Sequence, residues 1–178
     1  MTDPQNITRS GIALVALCHE YCMTVDSAEE AGSAAELARR LLGLLPRIYI
    51  TAFDIPGAAE EAEDFPGSLD EEQYTAVAAS LARVFGEHDT YLETFHEDMK
   101  YSDTPIAASL GEQLADLYQA FYDFTQTARE LPADSLGGTV TEMAIRFRDY
   151  WSQTLCNALK VLNSLYTSGA LDNEESYD

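Results

Sequence analysis

Glu93 and His96 stand in a Glu-x-x-His spacing, which sets a carboxylate and an imidazole on one helical face. Two such pairs with two further glutamates hold the di-iron centre of a ferritin-like bundle. This chain has one pair, because the residues three before His19 and His88 are Ala16 and Phe85. The di-iron reading fails on count. A mononuclear site with a third ligand from elsewhere stays open beside the plainer reading of a histidine at a helix end. Cys18 and Cys22 are one helical turn apart, so with Cys156 or His19 they could share a metal. Buried free thiols on an apolar stripe are the commoner outcome. Cys18 beside His19 is not a nucleophile and base pair, since neighbours along a helix do not face each other. The chain has no Gly-rich phosphate loop, no Gly-x-Ser-x-Gly and no zinc-spaced cysteine pairs. No catalytic residue, metal or cofactor is expected.

Tyr101, Tyr118, Tyr122, Tyr150 and Trp151 could line a pocket between helices, where ligands of helical bundles sit, although aromatic stripes at helical spacing are core first. Arg146 and Arg148 are scarce cations in an acidic chain and are expected to pair with carboxylates, with an anionic ligand as the alternative.

These residues must be positioned by helices. Apolar residues recur at alternating steps of three and four, and no strand pattern is evident. A first helix over about residues 5–26 carries Ile7, Gly11, Leu14, Cys18, Tyr21 and Val25 on one stripe. A second, over about residues 34–55, contains Pro46, where a kink or break is expected. Two Pro-Gly pairs and many acids then mark residues 56–67 as an exposed loop. Ser68 with Glu71 reads as a capping box for a third helix, which Gly86 stops. A short helix follows over about 89–99. Asp103 or Thr104 before Pro105 reads as the start of the next, whose seam runs from Ala107 to Leu131. A last helix covers about 138–166. The expected fold is all-α: a compact bundle of five to six helices, four of them long, with residues 1–168 as one domain and 169–178 as an acidic flexible tail.

The chain of 178 residues holds 31 acids against 10 bases, a net charge of −21. That balance repels phosphate backbones and anionic lipid, so no nucleic-acid or membrane partner is expected. No apolar run approaches the length of a membrane span. The stretch "ITRSGIALVALC" falls short of a lipoprotein signal, because its apolar run is brief and bulky Leu17 precedes the cysteine. An odd set of three cysteines without framework spacing points to a reducing compartment, so the expected location is cytoplasmic.

The run "GEHDTYLETFHEDMKYSDTPIAASLGEQLADLYQAFYDF", with "LLGLLPRIYI" and "FRDYWSQTLCNALKVLN", resembles the bacterial family known as domain of unknown function 5063. The resemblance spans roughly Ile12 to Leu165. It implies an all-helical single domain, found largely in gut-type Bacteroidetes and relatives, and carries no activity. If the central block marks a shared surface, His96, Asp98, Tyr101 and Asp103 are its candidate residues, with Trp151 added from the aromatic set. The functional expectation is a cytoplasmic protein-interaction or regulatory module with a protein partner or a second copy of itself. The alternative is a helical bundle that binds a small molecule or metal, with possible enzymatic activity.

Overall fold

Four polar side chains start the long helices of the computed structural model, which describes residues 7–93 and 104–175. Thr8 opens α1 (Arg9–Asp26), its hydroxyl accepting from the Gly11 N–H at 3.1 Å. Ser33 opens α2 (Ala34–Phe53) by accepting from the Glu36 N–H. Glu36, in the first turn, takes bonds from Arg39 and Arg40, which hold its carboxyl down at about 2. Asp70 and Gln73 form a reciprocal capping box at α3 (Glu71–Phe85). That box lies two residues beyond the expected Ser68 and Glu71. The reason is visible: the Ser68 and Leu69 N–H groups both donate to the Asp123 carboxylate instead. Gly86 ends α3 with φ 54°, where a side chain would be strained.

Helix α4 (Leu110–Glu130) packs against α1, α3 and a C-terminal helix, so it is the central rod. It starts at Leu110 with Ser109 as its cap, five residues after Pro105. The intervening chain pairs as strand: β1 (Thr90–Glu93) runs antiparallel to β2 (Ile106–Ser109), with Thr90 opposite Ser109 and Glu93 opposite Ile106. This overturns the expectation of no strand, and of a helix over residues 90–93. Asp89 supplies the cause. Its two carboxylate oxygens accept from the Gly111 N–H at 2.7 Å and the Ser109 hydroxyl at 2.8 Å, and its carbonyl accepts from the Leu110 N–H. The residue before β1 is thereby fastened to the start of α4, and the flanking chains are drawn alongside.

The C-terminal region is α5 (Gly137–Arg146), one π-helical turn (Phe147–Trp151) and α6 (Ser152–Thr167), where the sequence suggests a single helix. Of the kink or break expected at Pro46, the break does not occur, and helix α2 runs continuously through it. Tertiary packing outweighs the lost donor there, since Leu44, Leu45 and Ile48 on either side are buried.

The core is threaded by aromatic rings in edge-to-face contact: Tyr21 on Phe121, Phe121 on Trp151, Trp151 on Phe147 and Phe147 on Tyr49, all with centroids 4.7–5.0 Å apart. These rings tie α1, α4, the π turn and α2 into one body. The buried Tyr21 hydroxyl donates to the Leu114 carbonyl at 2.8 Å. Gly111 lets α3 approach, because a Cβ there would lie 2.9 Å from the Ala82 nitrogen and 3.0 Å from the Ala78 oxygen.

The acidic loop over residues 56–67 is strapped down. Phe65 is buried against Phe124, Arg146 stacks 3.8 Å over the Phe65 ring and binds Asp64 and the Phe65 carbonyl, and the Glu63 N–H donates to the Gly138 carbonyl. Beyond α6, Ala170–Glu175 form a further turn in which Leu171 joins the core.

Candidate functional site

His96, Asp98, Tyr101 and Asp103 lie outside the described residues, and so does the histidine of the Glu-x-x-His pair. Its partner Glu93 is buried at the end of β1 and accepts from the Tyr91 hydroxyl at 3.0 Å. Among the described residues, no three His, Cys, Asp or Glu side chains are grouped so as to hold a metal. Cys18 and Cys22 are buried in the core while Cys156 is exposed on α6, so the three thiols do not converge. Burial pushes the Cys22 thiol up to about 12 and raises Cys18 well above its ordinary value. A thiol-reactive chromophore should therefore label one cysteine per folded chain, Cys156, and all three after denaturation. Two or three fast-reacting thiols in the folded protein would contradict this packing.

Two places in the described fold have the properties of a site. The first is the outer face of α1. The stripe read from the sequence, including Leu14, Cys18, Tyr21 and Val25, is buried. A second stripe with the same steps of three and four, Arg9, Ile12, Ala16, His19 and Met23, faces solvent throughout. Ile12 and Met23 are 56% and 57% exposed, large values for side chains of this kind. Grooves flank the stripe on both sides. One, of about 440 Å³, is walled by Ile12, Val15, Ala128 and Leu136, with His19 and Arg129 on its walls too. The other, of about 470 Å³, lies towards α2 and is walled by Ala13, Ile50, Arg47 and Glu20. Ala16 borders both.

The charges on this face are unusual for the molecule. Arg39 and Arg40 bind Glu36, Arg83 binds Glu29, and Arg146 binds Glu142 and Asp64. Arg148 instead donates to the carbonyls of Ile55 and Ala144, which departs from the expected carboxylate partner. Arg9, Arg47 and Arg129 have no carboxylate partner among the described residues, and the only side-chain bond of Arg129 is to His19 Nδ1 at 3.2 Å. In a chain with three acids for each base, three arginines without a carboxylate among the described residues stand on one apolar face. Periodicity shows both stripes of α1 in the sequence, but it does not say which of them the rest of the protein covers.

The second place is a cavity of about 310 Å³ between α4 and the π turn, walled by Asp116, Gln119, Met143, Arg146, Tyr150 and Trp151. The Ser152 N–H reaches back five residues to the Phe147 carbonyl, the bond that defines the π turn, a distortion often found at functional sites. Trp151 is 1% exposed, and its indole N–H has no acceptor among the described residues, a cost of about 1–3 kcal/mol for a buried donor. Burial pushes the Asp116 carboxyl above its usual range, against the bond it accepts from the Tyr74 hydroxyl at 2.7 Å. Of the five aromatics named from the sequence, Tyr150 and Trp151 line this cavity. Tyr118 and Tyr122 stack on each other elsewhere, where the Tyr118 hydroxyl binds Asp26.

The sequence model of the family described as Domain of unknown function (DUF5063) matches residues 5–168. The chain belongs to this family. The all-helical expectation that came with the family holds apart from the short β1–β2 pair. A crystal structure of the DUF5063 chain's structural relative, protein BF1032 from Bacteroides fragilis, has the same fold. It is 24% identical, with a TM-score of 0.74 over 88% of this chain and 92% of that one. No curated protein matches the sequence. Among the described residues, no helix of this DUF5063 protein is long and apolar enough to cross a membrane.

Proposed function

We propose that this DUF5063 protein is a cytoplasmic protein-interaction module whose docking face is the outer side of α1, and that its partner presents an acidic amphipathic helix. The observation that carries the reading is the exposed stripe of Arg9, Ile12, Ala16, His19 and Met23 between two grooves, beside Arg47 and Arg129, which have no carboxylate partners among the described residues. A helix that is apolar on two sides wants cover on both, and the fold covers one. A partner helix laid along the stripe would set its apolar residues into the grooves, as ridges pack into grooves between helices. Its carboxylates would meet Arg9, Arg47 and Arg129. The rest of this strongly acidic surface would turn away competing acidic proteins, which gives the contact direction as well as attraction. A cytoplasmic setting fits Cys18 and Cys22, one turn apart and unbridged.

Selection from a displayed library of helical peptides tests the partner's chemistry. Binders to the wild type are expected to be acidic and amphipathic, and to lose at least about tenfold in affinity when Arg9, Arg47 and Arg129 are all changed to Glu. The melting temperature of that variant should stay close to wild type, since none of the three arginines holds a carboxylate among the described residues. Neutral or basic binders, or binders indifferent to the charge reversal, would sink the reading. Concentration-dependent dimerisation that the same reversal abolishes would replace the partner with a second copy of this chain.

A further inference from the structure

We propose that the cavity between α4 and the π turn is a binding site for a small organic ammonium compound that carries a neutral hydrogen-bond acceptor, the chemistry of an amino amide or a choline-like amino alcohol. This site is separate from the α1 face and does not depend on it.

Three features of the cavity define the ligand. The first is the indole N–H of Trp151, buried, without an acceptor among the described residues and on a side chain that walls the cavity, which calls for an acceptor on the occupant. The second is the sign of the charge. The charged side chains walling this space are Asp116 and Arg146, and Arg146 is already paired with two carboxylates, Glu142 and Asp64. Asp116 is thus the lining charge with no cationic partner among the described residues, so the occupant's charge is positive and its acceptor neutral. The third is the Asp116 carboxylate, which the Tyr74 hydroxyl bonds at one oxygen, Oδ1, leaving Oδ2 without a bond among the described residues. A cation at Asp116 would offset the burial that now disfavours its charged form. Tyr150, more than half exposed at the mouth, and Trp151 on the wall add the aromatic surfaces on which ammonium groups settle. The π turn places Tyr150 and Trp151 together at this cavity.

Trp151 is the only tryptophan of the chain, so its emission reports on this cavity alone. The full-length protein would be titrated with L-phenylalaninamide and with choline. The controls are L-phenylalanine, which adds a carboxylate, and 3-phenylpropanamide, which lacks the cation. The expected result is a saturable change in tryptophan emission with at least one of the two amines, at a Kd below about 1 mM, and binding at least about tenfold weaker for both controls. Asp116→Asn keeps an acceptor for the Tyr74 hydroxyl and removes the charge. It should fold with a melting temperature no lower than wild type and weaken the amine by at least about tenfold. No emission change with either amine up to about 10 mM, well above that Kd, would overturn the proposal. So would L-phenylalanine binding as tightly as its amide, or a folded Asp116→Asn variant that binds as well as wild type.

Discussion

Phe121→Ala is expected to destabilise the protein by about 3–5 kcal/mol, a large share of the roughly 5–15 kcal/mol that holds a domain of this kind folded. Phe121 is fully buried on α4, and its ring meets Tyr21 of α1 on one side and Trp151 of the π turn on the other, both edge to face. Truncation removes two aromatic contacts and opens a cavity at the point where three elements meet, so no single helix can shift to fill it. In thermal unfolding the loss should read as a fall of about 10 °C or more in Tm. Phe121→Leu, which keeps most of the volume, should cost well under half as much. A Tm within about 2 °C of wild type for the alanine variant would mean that these rings do not bear on one another as described.

The second large effect is expected at Asp123. This carboxylate is 8% exposed and accepts the Ser68 and Leu69 N–H groups at 2.6 and 2.9 Å, holding the end of the acidic loop against α4. Asp123→Ala leaves two backbone donors without a partner beneath the loop, at an expected cost of about 2–4 kcal/mol. Asp123→Asn keeps a carbonyl oxygen where Oδ1 now stands and should lose about half of that or less. The position of the damage distinguishes this from a general core defect. In the alanine variant, protease cleavage and hydrogen exchange should rise first within residues 56–69, before the helices yield. Uniform loosening of all helices with this loop still protected would contradict the anchoring role.

The difference between these two residues shows what could be read from the sequence. Phe121 belongs to the uninterrupted three-and-four seam of α4, and a period of that kind names a core position with no knowledge of the partner helices. Asp123 lies off the seam, and nothing local marks it, because its two donors stand more than fifty residues earlier. The capping box moved from Ser68 to Asp70 for the same reason. Pro105 followed by an apolar run satisfied the local rule for a helix start, but Asp89, about twenty residues back, bonds Ser109 and Gly111 and sets the true start at Leu110. The π turn inside the last helix is likewise invisible to a periodic reading, since one added residue of winding keeps both Phe147 and Trp151 inside. The sequence offers five aromatics, Tyr101, Tyr118, Tyr122, Tyr150 and Trp151, for one pocket, and of these Tyr150 and Trp151 wall the cavity. It had no means of pairing them with Asp116. The α1 face was in plain view as a second stripe, but whether a stripe is covered is a property of the assembled fold.

The methyl groups of Ile12, Met23 and Ile50 offer the most direct test of that face. In methyl-labelled protein titrated with an acidic helical peptide selected for binding, the account predicts shifts concentrated at these three residues, fading as salt is raised. Shifts that leave all three unmoved while methyls on another surface respond would place the docking face elsewhere and contradict it.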